Sequence, residues 1–197
     1  MDILKILYID DNPEPALAKY LDKYKSKRCE LEYSDIIFNP AEGYESLINN
    51  PEVIGSNIIF IDSRLFENRN AAFGKFSGEE FKVILKKYFP FIEVIVVTQN
   101  DINEGYTTIP KYDSKSGKNA EEYYSQKLPL IIEEAIKNIF EVRKIAEEME
   151  KNSSWEKVMM EKIKNSISGQ GVFDELSKKD IDNVIMMFKE LQEKIDG

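Results

Sequence analysis

The chain has 197 residues, a formal net charge of −9, one cysteine and no histidine. Its 42% hydrophobic and 32% charged residues are typical of a folded globular protein. The absence of histidine excludes a Ser-His-Asp triad and a His-ligated zinc site, one cysteine excludes an intrachain disulfide, and the acidic balance disfavours nucleic-acid binding.

Segments with strand and helix patterns alternate along the chain up to Thr98. Short apolar runs bounded by polar residues predict buried strands, and apolar side chains spaced three and four residues apart predict helices. The predicted strands are Ile3–Asp10, 29–35, 57–62 and Glu93–Thr98, and the predicted helices are 15–25, 40–49 and Gly78–Tyr88. This alternation predicts an α/β fold, a doubly wound parallel sheet with helices on both faces.

Two long segments interrupt or follow this regular pattern. The polar residues 63–77 predict a long loop between the third strand and the next helix. A last strand is predicted over 106–112, where Pro110 favours an edge position because proline has no N–H to donate to a neighbouring strand. A long helix is predicted over 128–151.

The pattern beyond residue 141 is helical only, which divides the chain into a domain of residues 1–141 and an α-helical extension of residues 142–197. Apolar residues recur at heptad-like spacing over 132–149 and again over 181–195. These seams could form a coiled coil in a homodimer or fold as a helical hairpin on the first domain. No basic recognition helix is present, which disfavours DNA binding by the extension.

Acidic residues end two of the predicted strands. Asp10 and Asp11 follow the first strand, and Asp62 ends the third. In doubly wound folds ligands bind beyond the carboxyl ends of the strands, so the three carboxylates would converge if these strands are neighbours. Like charges at close range repel, and Mg²⁺ would relieve that repulsion because it prefers carboxylate, water and phosphate oxygens.

Two further side chains suited to phosphate end the next two predicted strands. Thr98 offers a hydroxyl, Lys111 offers a cation, and an aspartate such as Asp62 can accept a phosphoryl group covalently. Taken singly, each of these residues has an ordinary explanation as a turn former, a strand end or a solvated charge. Their occurrence at the ends of four successive parallel strands instead predicts a phosphoryl-transfer site.

The segments around these residues resemble the response-regulator receiver family over about residues 3–141. The matching segments are LYIDDN with Asp10 and Asp11, IIFIDSRL with Asp62, VIVVTQN with Thr98 and TIPKYD with Lys111. The resemblance implies a flavodoxin-like receiver fold, a five-stranded parallel sheet with strand order 2-1-3-4-5.

The resemblance also implies a role in two-component signalling. A histidine kinase or phosphotransfer protein would phosphorylate Asp62, and the protein would be a phosphoacceptor that could release its own phosphoryl group rather than a dedicated enzyme. The implied Mg²⁺ ligands are Asp10, Asp11, Asp62 and the backbone carbonyl of Arg64, and the implied phosphoryl-binding side chains are Thr98 and Lys111. Output would pass through protein contacts of the helical extension.

Several residues depart from the family pattern and keep a second interpretation open. Gln99 follows the threonine where the family has a small residue, and Thr108 stands at the position of the family's switch aromatic. Only twelve residues separate Thr98 from Lys111, which leaves little room for the usual fourth helix. The chain could therefore be a degenerate receiver that serves as an unphosphorylated protein-interaction module.

A phosphatase of the haloacid-dehalogenase type is a third interpretation, which the sequence disfavours. That family needs a second aspartate two residues after the first, and this chain has Asn12 at that position. No apolar run approaches the roughly 18 residues that span a bilayer, and the chain start lacks the basic region and cleavage site of a signal peptide. We therefore expect a cytoplasmic protein without membrane or nucleic-acid partners.

Overall fold

The computed structural model describes residues 2–65, 77–99, 108–113, 117, 119–151 and 157–169. The predicted helical seam over 181–195 and most of the 63–77 segment lie outside the described residues. The strands are β1 (Ile3–Asp10), β2 (Glu30–Ile37), β3 (Ile58–Asp62), β4 (Glu93–Thr98) and β5 (Thr108–Pro110), and the helices are α1 (Pro15–Lys23), α2 (Glu45–Ile48), α3 (Pro51–Gly55), α4 (Gly78–Tyr88), α5 (Ala120–Glu150) and α6 (Lys157–Ile167).

The five strands form one parallel sheet in the order β2-β1-β3-β4-β5. This topology confirms the predicted doubly wound α/β fold. All five residues of β3 are buried, as expected for a central strand covered on both faces. β5 is three residues long and lies at the sheet edge, the position that Pro110 favours.

The sheet separates two apolar cores because successive side chains of a strand point to opposite faces. Leu4, Ile6 and Tyr8 of β1 pack in the core that α1 and α5 cover. Leu7 and Ile9 of β1 pack in the other core, with side chains of α2, α3 and α4. Most of the buried apolar surface that stabilises the fold lies in these two layers.

Several element boundaries differ from the predicted ones because capping residues and a glycine set them. The single helix predicted over 40–49 is divided into a 3₁₀ turn over Pro40–Glu42 and the helix α2. Gly43 lies between them with a φ of 73°, which is not a helical conformation. α3 was not predicted, although Asn50 accepts a hydrogen bond from the Glu52 N–H at its start. α1 ends at Lys23, two residues before the predicted end.

α5 begins at Ala120, well before the predicted start at 128, because the Asn119 side chain caps it by accepting from the Glu122 N–H at 2.8 Å. The helix continues through residue 141, so the proposed boundary between residues 141 and 142 falls inside one helix. The division into two domains stays a prediction. None of the described helices combines the length and the apolar character that crossing a bilayer requires.

α6 packs beside α5, and the residues just beyond α6 contact the C-terminal end of α3. Lys164 of α6 forms an ion pair of 2.8 Å with Glu150 at the end of α5. Gly169, just beyond α6, packs so closely on α3 that a Cβ atom there would lie 2.8 Å from the Ile54 carbonyl oxygen. The described part of the extension therefore forms a helical hairpin on the sheet domain, and a homodimer through these helices stays a prediction.

The start of α4 is held directly against the residues that end β3. Ser77 and Glu80 form a capping box at this end of the helix. The Gly78 N–H donates to the Ser63 carbonyl at 2.8 Å, and a Cβ atom on Gly78 would overlap the Asp62 carbonyl oxygen and lie 2.9 Å from the Ser63 Cα. A residue without a side chain is therefore required here.

Replacing Gly78 with alanine should lower the free energy of unfolding by about 1–3 kcal/mol, because the backbone must shift to accept the added methyl group. Chemical denaturation monitored by circular dichroism would measure the change. Gly55→Ala is the matched control, since a Cβ there meets nothing within 4 Å. Equal stability of the two variants would contradict the close packing of α4 on β3.

Candidate functional site

Three carboxylates converge at the carboxyl ends of β1 and β3, which are neighbours in the sheet. Asp10 ends β1, Asp11 follows it and Asp62 ends β3. One carboxylate oxygen from each lies within 4.8 Å of the others, and Asp10 and Asp62 are only 1% and 5% exposed. This all-oxygen donor set fits a hard divalent cation such as Mg²⁺.

The ammonium group of Lys111 bridges two of these carboxylates. Its Nζ lies 2.8 Å from Asp10 Oδ2 and 2.7 Å from Asp62 Oδ1. Burial by itself would lower the pKa of Lys111, but the hydrogen bonds to Asp10 and Asp62 raise it above its ordinary value. The Lys111 N–H donates to the Thr98 carbonyl at 2.6 Å, which fixes the residue beside β4. Lys111 is therefore a charged and well-anchored partner of the acidic cluster.

The buried position of Asp62 disfavours its ionised form. Burial raises its pKa above the ordinary value, and the negative charge of Asp10 adds to the rise. Lys111 and the Arg64 N–H, which donates to Asp62 Oδ2 at 2.8 Å, oppose the rise without cancelling it. Carboxyl groups with pKa values perturbed by burial and a neighbouring charge are frequent at functional sites.

Asp10 is held from three directions. Its Oδ1 accepts from the Asn12 N–H at 2.9 Å, and its Oδ2 accepts from Lys111 and from the Tyr8 hydroxyl at 2.5 Å. Tyr8 has no exposed surface, and burial together with the hydrogen bond to Asp10 raises its pKa. The Tyr8 hydroxyl therefore stays protonated and donates to Asp10.

Thr98 lies one strand away from Asp62, at the end of β4, and is 3% exposed. Its hydroxyl donates to the Ser63 Oγ at 3.3 Å, and the Ser63 N–H donates to the Val97 carbonyl at 2.8 Å. Ser63 follows Asp62 directly. These bonds join the ends of β3 and β4 at the residue next to the predicted phosphoacceptor.

A cleft of about 690 Å³ opens beside the acidic cluster. The residues that line it include Asn12, Glu14, Gln99, Lys111 and Tyr112. Lys111 belongs to both the cleft wall and the ion pairs with the cluster. The exposed side chain of Gln99 lies at this cleft, close to the residue that contacts the cluster.

The structure brings the predicted side chains together at one edge of the sheet. Asp10, Asp11, Asp62 and Lys111 form one cluster, and Thr98 stands at the next strand end. Their chemical roles, and that of the Arg64 carbonyl as a metal ligand, stay predictions.

The sequence interpretation missed two residues of this region, Tyr8 and Ser63. Tyr8 has a hydroxyl in an otherwise aliphatic buried strand, two residues before Asp10 and so on the same face, and a buried hydroxyl needs a partner. The position of a buried hydroxyl on the same strand face as Asp10 was the sequence signal for Tyr8. The sequence signal for Ser63 was weaker, because it is only a small polar residue directly after Asp62.

Replacing Asp62 with asparagine should raise the free energy of unfolding of the metal-free protein at neutral pH. Its raised pKa means that folding disfavours the ionised carboxylate, and a neutral amide of the same size removes that penalty. We expect a rise in Tm of a few degrees, since 1 kcal/mol corresponds to about 2–4 °C in a chain of this length. Thermal unfolding in the presence of a chelator would measure it.

The difference between wild type and Asp62→Asn should shrink as the pH falls, because the wild-type carboxyl becomes neutral on passing through its raised pKa. Asp35→Asn, at an exposed position on the edge strand β2, is the matched control and should show no such pH-dependent gain. A lower Tm for Asp62→Asn at neutral pH would show instead that the ion pair with Lys111 outweighs burial.

Comparison with known proteins assigns no family to the chain. No protein-family model, curated protein or solved structure matches it. A buried acidic cluster occurs with many activities, so the function has to be argued from the geometry of this site and from the motifs that end its strands.

Proposed function

We propose that this protein is a two-component-type response regulator that accepts a phosphoryl group on Asp62 in a Mg²⁺-dependent reaction. The observation that carries the proposal is the bridging contact of Lys111 with Asp10 and Asp62, beside Asp11, at the ends of adjacent parallel strands. The resemblance of the same segments to receiver domains supports it. A histidine kinase or phosphotransfer protein would be the donor.

The transfer itself needs one nucleophilic oxygen and neutralisation of charge. An Asp62 carboxylate oxygen would bond to phosphorus as the P–N bond of the donor breaks, and the bonding electron pair would stay on the donor nitrogen, which takes up a proton. The chain has no histidine, so the phosphorylated imidazole must belong to another molecule. The product is an acyl phosphate on Asp62.

Charge on the phosphoryl oxygens would be met by side chains already in place. The Lys111 ammonium lies 2.7 Å from Asp62 Oδ1 and would pair with one phosphoryl oxygen. The Thr98 hydroxyl would give up its hydrogen bond to Ser63 and donate to a second phosphoryl oxygen. Held by Asp10, Asp11 and Asp62, Mg²⁺ would supply positive charge to the carboxylates and the phosphoryl group. Hydrolysis of the acyl phosphate would reset the protein.

The wider setting of this reaction stays a prediction. Output is expected through protein contacts of the helical extension, with a homodimer as one form of such contact. A cytoplasmic location and the absence of nucleic-acid and membrane partners are likewise expectations from the sequence.

A degenerate receiver that acts as an interaction module is the second candidate, and Gln99 favours it. The exposed Gln99 side chain lines the cleft with Lys111, where it could block access of a donor. Lys111 is also already engaged with both carboxylates. The two candidates differ in whether Asp62 can be phosphorylated at all.

Incubation with Mg²⁺ and acetyl phosphate should add one phosphoryl group to the wild-type protein, measured by intact mass. Asp62→Asn should gain none, since it lacks the nucleophilic carboxylate, and chelation of Mg²⁺ should abolish the gain in the wild type. Asp35→Asn should behave like the wild type. A folded wild-type protein that binds Mg²⁺ but never gains mass, with acetyl phosphate or a beryllofluoride mimic, would contradict the proposal.

Gln99→Ala should increase the rate of phosphorylation by acetyl phosphate several-fold, because it widens the approach to Asp62 without changing a member of the acidic cluster. The initial rate of mass gain would measure the effect. Failure of both wild type and Gln99→Ala to gain mass would support the interaction module. An unchanged, measurable rate would show that Gln99 does not limit access.

A further inference from the structure

Hydrogen bonds through the backbone and the side chain of Glu14 connect the acidic cluster to the α1–α5 side of the molecule. Asp10 Oδ2 accepts from the Tyr8 hydroxyl at 2.5 Å, and the same hydroxyl accepts from the Glu14 N–H at 3.3 Å. The Glu14 side chain in turn accepts from the Tyr124 hydroxyl at 2.6 Å. Tyr124 belongs to the second turn of α5, so these bonds connect Asp10 to that helix.

The connection returns to Asp10 by a second path. The Tyr124 hydroxyl accepts from the Tyr112 N–H at 3.0 Å. Tyr112 follows Lys111 in the chain, and the Lys111 ammonium lies 2.8 Å from Asp10 Oδ2. We call the resulting closed path the Asp10 circuit, and its members are Asp10, Tyr8, Glu14, Tyr124, Tyr112 and Lys111.

The direction of the hydrogen bonds in the Asp10 circuit is fixed by the partner groups, because a carboxylate only accepts and a backbone N–H only donates. Tyr8 and Tyr124 have no exposed surface. Each hydroxyl donates to a carboxylate and accepts from a backbone N–H. Loss of either hydroxyl would leave buried polar groups without that partner, which is unfavourable where water is excluded.

We propose that Tyr8, Glu14 and Tyr124 are positioning residues for the cation site, and that cation binding is coupled through them to the packing of the first turns of α5. The inference rests on the proposed function, since it requires a divalent cation at Asp10, Asp11 and Asp62. Residues that hydrogen-bond metal ligands commonly change metal affinity by about 10–100-fold when they are replaced.

The coupling gives the site a route to the helical extension. α5 is a continuous helix to Glu150, where the ion pair with Lys164 joins it to α6. A change in the packing around Tyr124 therefore acts on the helix that carries the extension. β5 contacts the same helix at its other end, where the Pro110 carbonyl accepts from the Tyr123 hydroxyl at 3.0 Å, whereas the buried Thr108 hydroxyl has no hydrogen-bond partner among the described residues.

Calorimetric titration of the full chain with Mg²⁺ tests the positioning role. Tyr8→Phe should weaken binding about tenfold or more, and Tyr124→Phe should weaken it several-fold, because each removes one hydroxyl and keeps the aromatic ring. Tyr24→Phe is the matched control. Its hydroxyl also donates to a glutamate of α5, Glu133 at 3.1 Å, so the variant removes the same kind of bond at a place farther along the helix.

Amide hydrogen exchange in the first turns of α5, measured with and without Mg²⁺, tests the coupling. If Tyr124 only stabilised the fold, its replacement would not change the effect of Mg²⁺ on the exchange rate. Coupling between two sites is reciprocal. Mg²⁺ should therefore slow amide exchange in the first turns of α5 by about the same factor by which loss of the Tyr124 hydroxyl weakens Mg²⁺ binding. We expect this slowing in the wild type and Tyr24→Phe, and its loss in Tyr124→Phe. The titration and the exchange experiment must agree.

The outcomes separate this inference from the proposed function. Wild-type protein that binds Mg²⁺ and is phosphorylated, with Tyr124→Phe matching Tyr24→Phe in both affinity and exchange, overturns the coupling and leaves the proposed function standing. Wild-type protein that binds no Mg²⁺ overturns both. Should Tyr8→Phe fail to fold, Tyr124→Phe and its control carry the test, because they alter the circuit farther from the cluster.

Discussion

The contact of one ammonium group with two buried carboxylates is the interaction around which this protein is arranged. Asp10 and Asp62 end neighbouring strands, and two carboxylates so close in a poorly solvated place repel each other. Lys111 comes from beyond β5, two strands away from β3. The contact therefore forms only when β1, β3, β4 and β5 are paired in their observed order, so the sheet topology and the site depend on each other.

Lys111 offsets only part of the negative charge of the cluster. Three carboxylates and one ammonium leave a formal charge of −2 when all are ionised. The proposed Mg²⁺ would balance that charge, and a phosphoryl group on Asp62 would take Lys111 as a second partner. Burial raises the pKa of Asp62, so folding of the metal-free protein disfavours its ionised carboxylate.

The fold and the acidic cluster could be predicted because each depends on short-range patterns. The aliphatic runs of β1 and β4 and the apolar spacing of α4 predicted those elements with the observed bounds. Parallel strands bring their carboxyl ends to one edge, so Asp10, Asp11 and Asp62 could be placed together from strand ends alone. The start of α5 was missed because the cap at Asn119 lies within a polar stretch and the apolar periodicity becomes clear only later.

The Asp10 circuit could not be predicted because its members are far apart in sequence. Glu14 and Tyr124 are 110 residues apart, and their contact depends on how α1 and α5 pack on the sheet. In the sequence, Tyr124 fits the spacing of the apolar residues of α5, and Glu14 is an ordinary acidic residue in a loop. Only the packed structure shows that the buried Tyr124 hydroxyl donates to the half-buried Glu14 carboxylate. Only the packed structure shows that Glu14 is in turn connected to Asp10 through Tyr8.

The most direct test of the account is a crystal structure of the protein with Mg²⁺ and beryllofluoride. We expect the cation among Asp10, Asp11 and Asp62, the beryllofluoride on an Asp62 oxygen, and the Lys111 ammonium in contact with a fluorine of that group. A folded protein with neither ion at Asp62 under these conditions, or with the cation bound elsewhere, would contradict the central claim that this cluster is a phosphoacceptor site.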